Sequence, residues 1–465
     1  MILNVSSSIE IPGSVRNAFW VSHVLNSLTR TQKSYNDPDV TETLTFYEVK
    51  NDKIKIPRLY DLTNYGVELN YQKTEGEDIV INNVFNPRNE LQVEGVKYFC
   101  ENDSGILKLN PGEGKTIISI MAICKLKKKS IIFVHKDSLV SQWKERFLQA
   151  SDIKEEDIGI LDTSKYLDVI RKPIVIGTVQ TMNSMIKKYS TLEEDFRNAN
   201  FGIGIWDECH TTGGAPLFSK SIYYIPCKKC FGLSATPSRS DHNDDIIGMH
   251  LGKVVEPEGK SDTLKPRVVM TYFDFLVMST FRYYINYGFP DKEGNRQTYA
   301  QFDKNRYLSM LTSKKQKRYI KTVHKIIDII YKKGRNILVL CDRIKIIDAL
   351  AAGFPQEDVG FFLPRTGKDR DSHLHRKIVF STPGSARDGT DNPELDCLIL
   401  ATPLGNLDQA IGRVTRMKSG KSQPIVIDIV DSGCEEMLKW GNYRKRQYEQ
   451  KKQESGWMLE EKFLK

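Results

Sequence analysis

The sequence predicts an α/β chain: two parallel-sheet domains in tandem, behind a small α+β module at the N-terminus. Two observations carry that prediction. After Asn86-Pro87, short apolar runs alternate with amphipathic helical stretches, at Gly105–Leu109, Ser130–His135, Ile174–Gly177, Gly202–Trp206 and Cys230–Leu233. Runs that are apolar throughout, with helices between them, mark parallel strands covered on both faces. A second such series follows at Asn336–Cys341, Lys377–Ser381, Cys397–Thr402 and Pro424–Ile429. A chain of 465 residues suits about three domains at roughly 100–200 residues each. The boundaries read as 1–85, 86–258, 259–432 and a charged helical tail, 433–465. The stretch from about Gly252 to Pro266, rich in Gly, Pro and Lys, reads as the linker.

The first 85 residues mix alternating segments, Thr43–Val49 and Lys53–Ile56, with a helix near Ala18–Leu28. Residues 272–306 are rich in Tyr and Phe, suited either to a core or to stacking on bases, and predict no particular fold. The amphipathic helix predicted around 307–333 is strongly basic. Residues 304–345 carry 13 Lys/Arg against 2 Asp/Glu, whereas residues 1–85 carry 8 against 11. So local an excess suggests a polyanion partner, although a solvated helix face would leave the same trace. No apolar run approaches the roughly 20 residues of a membrane helix, and the start lacks a signal-peptide pattern. The expectation is a cytoplasmic or nuclear protein without a membrane partner, its eight cysteines reduced. Cys227 and Cys230 form a lone CxxC, half of a zinc site at most.

The chemistry sits at strand ends. Residues 105–123 read GILKLNPGEGKTIISIMAI: strand, glycine-rich loop, apolar helix. Gly112, Glu113 and Gly114 can turn backbone N–H groups towards a phosphate. Lys115 can reach the β- and γ-phosphates of ATP, and the Thr116 hydroxyl can ligate Mg2+. Leu109 stands where many such loops open with Gly or Ala. In FGIGIWDECH, 92 residues beyond Lys115, two acids follow a strand. Asp207 is placed to hold Mg2+ through water, and Glu208 to orient or deprotonate the attacking water. His210 is either a coupling residue, towards Gln409 or the Ser234–Thr236 segment, or a surface histidine.

In this order, GEGKT, DECH, SATP (234–237) and QAIGRVTR (409–416) resemble the motifs of superfamily 2 helicases, over residues 86–432. Ser138–Trp143, SLVSQW, resembles an element of the branch typified by phage UvsW, XPB and poxviral transcript-release helicases. The resemblance implies two RecA-like domains of the P-loop NTPase class, with ATP hydrolysed when they close on it. It implies that Gln92 recognises adenine and that Gln409, Arg413 and Arg416 face the phosphates. Ser234 and Thr236 would relay nucleotide state, and Gly389 and Asp391 fall in the motif that couples the second domain to ATP. A helix through 409–416 puts Arg413 and Arg416 on one face. Ser141, Gln142, Thr178, Gln180, Arg343 and Thr382 are candidate contacts to the nucleic-acid backbone, which a motor grips without reading bases.

The expected activity is an ATP- and Mg2+-dependent DNA helicase that unwinds or branch-migrates forked or branched DNA in replication or recombination, as a monomer. The UvsW resemblance makes residues 1–85 a substrate selector, against which their acidic balance stands; packing is the alternative. A DNA translocase that releases transcripts or remodels bound protein is the competing function. An RNA helicase, a restriction motor and a nucleotide-gated binding module rank below it.

Overall fold

The computed structural model describes residues 1–33, 41–212, 216–235, 243–259, 263–275, 282–287, 297–312, 318–387, 392–404 and 407–464. The chain forms two compact units, Met1–Ser261 and Asp262–Lys465.

Unit 1 begins with the small module. Strands β1 (Ile2–Val5) and β2 (Ser8–Pro12) lead to helix α1 (Phe19–Ser27), then to the antiparallel pair β3 (Thr29–Lys33) and β4 (Thr41–Thr45). Strands β5 (Glu48–Lys50), β6 (Lys53–Pro57) and β7 (Glu68–Tyr71) complete a mixed sheet, ordered β5-β6-β2-β1-β7. Its core of Leu3, Val5, Ile9, Ile11, Val21 and Ile56 also takes in Ile246 from the main part of the unit.

Helix α2 (Glu90–Glu101) opens the large sheet. Strand β8 (Ser104–Lys108) is followed by α3 (Lys115–Leu126), then β9 (Ser130–Val134) by α4 (Asp137–Ala150). Strands β10 (Ile158–Ile160), β11 (Ile174–Thr178), β12 (Ile203–Asp207), β13 (Lys229–Ser234) and β14 (Val254–Val255) follow. The order β10-β11-β9-β12-β13-β8-β14 is parallel throughout. Every residue of β9, β11 and β12 is buried, as strands covered on both faces require. Two apolar clusters, one around Ile118 and Trp143 and one around Phe133 and Trp206, fill the spaces above and below.

Unit 2 repeats the plan. Strand β15 (Arg267–Phe273) precedes a hairpin, β16 (Arg282–Tyr287) and β17 (Gln297–Phe302), in the aromatic stretch. Then come β18 (Ile337–Leu340), β19 (Val359–Phe362), β20 (Ile378–Ser381), β21 (Cys397–Leu400), β22 (Ile425–Asp431) and β23 (Met458–Phe463). They order as β19-β20-β18-β21-β22-β15-β23, again all parallel.

Two expectations are corrected. The basic helix expected around 307–333 is two helices, Lys304–Leu311 and Arg318–Lys332. The C-terminal segment is not helical to its end. The helix Glu435–Ser455 stops at Gly456, in the left-handed region at φ +69, and the chain then returns as strand β23 beside β15. Among the described residues no helix is long and apolar enough to cross a membrane.

Candidate nucleotide site and nucleic-acid face

Strand β8 runs into the loop 109–114. Gly112 (φ +92) and Gly114 (φ +95) take backbone angles that a Cβ resists. Gly114 caps α3 without a side-chain hydrogen bond, so the first N–H groups of that helix remain for an anion. A Cβ at Gly114 would fall 2.5 Å from Gln92 Nε2. Gln92 belongs to α2, whose N-cap Asn89 accepts its backbone N–H at 3.0 Å. The Gln92 amide joins the entry segment to the phosphate loop: Oε1 accepts the Arg88 N–H (2.9 Å) and Nε2 donates to the Glu113 carbonyl (3.2 Å). The buried Glu113 carboxylate braces the loop, accepting the Asn110 N–H (2.6 Å) and Nδ2 (3.1 Å). Thr116 is half-buried in the first turn of α3.

Lys115 and the acid pair meet. Lys115 Nζ lies 3.6 Å from Glu208 Oε1 and 3.5 Å from the Leu109 carbonyl oxygen. Asp207 ends β12, 7% exposed. Its Oδ2 accepts the Trp143 indole N–H at 2.8 Å and its Oδ1 accepts the Glu208 N–H at 2.9 Å. Burial, then the neighbouring Glu208 charge, pushes the Asp207 carboxyl up to about 6, against the pull of Lys115 and the two N–H donors. Glu208 stands at φ +49. A non-glycine residue held there costs on the order of 1–3 kcal/mol, a strain that clusters at functional sites. His210 Nδ1 is 2.9 Å from Ser234 Oγ and 3.4 Å from Glu208 Oε2, so within unit 1 it meets the Ser234 segment. Thr236 lies outside the described residues.

The donors suit Mg2+ with a nucleotide. They are oxygens only, the Thr116 hydroxyl and a buried carboxylate, and Mg2+ usually takes one or two carboxylates plus substrate phosphates. Sequence reasoning missed Trp143. The signal was a tryptophan on a helix between sheet strands, because a buried indole N–H needs an acceptor.

Comparison with known proteins bears on this geometry. Residues 70–239 match the family described as Type III restriction enzyme, res subunit. A mimivirus protein of Acanthamoeba polyphaga, described as a putative ATP-dependent RNA helicase, is 27% identical over 88% of this chain and 77% of its own. The fission-yeast helicase/translocase subunit XPB of a general transcription and DNA repair factor is 25% identical over 68% of this chain and 39% of its own. The chain is a superfamily 2 helicase, of the type found in large DNA viruses. It is an ATP-hydrolysing enzyme. A solved structure, a DNA-bound Type ISP restriction-modification enzyme, covers 80% of the helicase with 30% of its own chain, at 14% identity and a TM-score of 0.51. That likeness concerns the fold, and the two parallel sheets of the helicase are its RecA-like domains.

The proposed nucleic-acid residues of unit 1 gather at the same sheet edge. Ser141 is exposed and Gln142 half-buried on α4, just past the end of β9. Thr178 ends the adjacent β11 and caps the helix Val179–Lys188, accepting the Thr181 N–H at 3.1 Å. The exposed Gln180 donates Nε2 to the His135 carbonyl at 2.9 Å, tying that helix to the segment before α4.

In unit 2, Thr382 is likewise a cap: its hydroxyl accepts the Ser385 N–H at 3.2 Å. Arg343 is half-buried and hydrogen-bonded to Asn305. Gln409 is in the helix Leu407–Gly412. Arg413 lies in the closing turn, its N–H on the Ala410 carbonyl at 3.3 Å, and Arg416 lies beyond it. The two arginines therefore do not share one helix face as expected, since Gly412 and the β-branched Val414 and Thr415 end the helix. Gly389, Asp391, Lys314, Lys315 and Lys317 lie outside the described residues. Part of the basic segment is engaged internally: Lys304 pairs with Asp342 at 2.7 Å, and Arg318 sits 4.6 Å from the centre of the Phe273 ring.

Proposed function

We propose that the chain is an ATP- and Mg2+-dependent DNA motor that unwinds or branch-migrates forked DNA. The observation that carries it is one sheet edge bearing both the nucleotide residues, at the ends of β8 and β12, and polar residues fit for a phosphate backbone, at the ends of β9 and β11. Lys115 holds the β- and γ-phosphates, with the Gly112 and Gly114 N–H groups around them. Thr116 and Asp207 hold Mg2+, which when bound neutralises phosphate charge. Glu208 orients the attacking water, and Arg413 and Arg416 supply positive charge to the transferring phosphoryl group. Gln92 reads adenine with what its amide has left after bonding Arg88 and Glu113. Ser141, Gln142, Thr178, Gln180, Arg343 and Thr382 contact the backbone.

Support for DNA comes from the SLVSQW element and the XPB relative, a subunit of a DNA repair factor. The helicase/translocase description of that subunit also favours a second reading, a translocase that strips bound protein or transcripts. The viral relative described as an RNA helicase makes RNA a necessary arm of the test. The experiment is the steady-state ATPase rate with no nucleic acid, single-stranded DNA, duplex, forked DNA or single-stranded RNA. Stimulation by the fork above both linear DNAs supports unwinding of branched DNA. Equal stimulation by duplex and fork favours the translocase. Stimulation by RNA alone overturns the DNA reading.

A further inference from the structure

Trp143 is 1% exposed, in the core between α3, α4 and the sheet, and its indole N–H ends on Asp207 Oδ2 at 2.8 Å. An apolar core needs only the ring. A buried N–H aimed at a carboxylate is a charge-assisted bond that fixes that group's rotation. The Glu208 N–H holds the other oxygen at 2.9 Å, so the carboxylate has one orientation before any ligand arrives. Helix α4 also carries Ser141 and Gln142, two and one residues before Trp143. The segment leading into α4 offers the His135 carbonyl that holds Gln180, the candidate contact at the neighbouring strand end. A contiguous path therefore runs from Gln180 and Ser141, through α4, to the Trp143 N–H and Asp207.

We propose that Trp143 is a positioning residue: it fixes the carboxylate of Asp207, and through α4 it passes the state of the nucleic-acid face to that carboxylate. This rests on the reading of Asp207 as a Mg2+ ligand. Coupling of this kind is reciprocal, so nucleic acid that orders α4 tightens Mg2+ at the nucleotide site.

The test uses the full chain and a methylanthraniloyl-labelled ADP. The Mg2+ concentration that half-saturates the Mg2+-dependent part of its binding is read with and without a single-stranded DNA oligonucleotide. In the wild type, DNA lowers that concentration about fivefold or more. Trp143→Phe keeps an aromatic ring and removes the N–H. It raises the Mg2+ midpoint about 10–100-fold, cancels the DNA shift, and leaves binding in EDTA unchanged. A midpoint equal to wild type, or a DNA shift that survives the substitution, overturns the proposal. So does an equal loss with and without Mg2+, which is what a packing role alone gives. If Trp143→Phe does not fold, Trp143→benzothienylalanine, with sulfur in place of the N–H, gives the same readout. Asp207→Asn separates the two levels: an unchanged Mg2+ midpoint in that variant overturns the metal-site reading itself, while a shift there without one in Trp143→Phe overturns only the positioning role.

Discussion

At the residue scale, Glu208 lies between a lysine and a histidine and away from ordinary backbone geometry, with Lys115 3.6 Å from one oxygen, His210 3.4 Å from the other, and φ at +49. Glu208→Gln keeps the shape and removes the carboxylate proposed to orient the attacking water. The expected outcome is nucleotide binding near wild type, with turnover down by about 10²–10⁴-fold, read by binding of the labelled nucleotide and by steady-state ATPase. Turnover near wild type would remove Glu208 from the chemistry. A second residue makes a stability prediction. His250 is fully buried beside the Tyr223 ring, 5.2 Å between centres, and neither ring nitrogen has a hydrogen-bond partner among the described residues. Burial, then the Arg58 charge, pulls its pKa down to about 3. The unfolded chain therefore binds the extra proton between about pH 6.5 and 3, and the folded one does not. Stability from this group is intact above pH 6.5 and falls by about 1.4 kcal/mol per unit below it. His250→Phe should flatten the denaturation midpoint of unit 1 between pH 7.5 and 5.5 relative to wild type. An unchanged slope would mean that His250 titrates normally.

At the scale of elements, unit 2 closes its sheet with a feature that no periodicity announces. The helix Glu435–Ser455 brings Arg444, 2% exposed, onto Asp428 of β22, with two bonds at 2.7 and 2.8 Å. Tyr448 adds a third at 3.0 Å. Breaking a buried pair by removing one partner costs about 3–5 kcal/mol, because the other charge is stranded. Arg444→Met should lower the stability of unit 2 by that order in urea unfolding. Adding Asp428→Leu should recover much of it, and failure to recover would show that the pair itself is net stabilising. What the sequence made legible follows the same logic. Strands such as Ser130–Val134 and Ile203–Asp207 were visible because full burial forces continuous apolar runs. Edge strands were not: β10, β14, β19 and β23 border one neighbour, are short or carry charge, and leave no such run. That Lys115 and the acid pair would lie at neighbouring strand ends was legible, because a glycine-rich loop before a helix and two acids after an apolar run are local patterns. The helix end before Arg416 and the bond from Trp143 to Asp207 were not, since each depends on three-dimensional context that a local pattern does not encode.

At the scale of the whole molecule, the division of the chain bears on what the N-terminal module is for. Met1–Ser261 is a single compact unit, and the join inside it is a core rather than a hinge. Arg58 is 1% exposed and donates to the carbonyls of Cys227 (3.0 Å) and Lys228 (3.1 Å) and to Cys230 Sγ (2.6 Å). Burial raises the Cys230 thiol, but its hydrogen bond with Cys227, then the Arg58 and Lys73 charges, hold it down at about 7. Tyr223 donates its hydroxyl to the Phe46 carbonyl at 2.7 Å, Leu59 donates its N–H to Met249, and Ile246 lies in the module's own core. A module attached in this way is expected to take part of the unit 1 core with it when removed. Arg58→Met removes three hydrogen bonds from a charged donor at the join, at about 1.5–3 kcal/mol each. At about 2–4 °C per kcal/mol for a unit of this size, the melting temperature of unit 1 should fall by about 5 °C or more. Deletion of residues 1–85 goes further, because it exposes Tyr223, Ile246 and Cys227 and removes the strand-like bridges from Thr74 to Cys227 and Asp78 to Lys128. The expected result is loss of the ATPase rate measured with no nucleic acid present, in step with loss of the unit 1 transition in calorimetry. If the deleted chain instead kept its basal ATPase and its melting temperature while losing its preference for forked DNA, the module would be a detachable selector, and its buried join would have to serve orientation rather than stability.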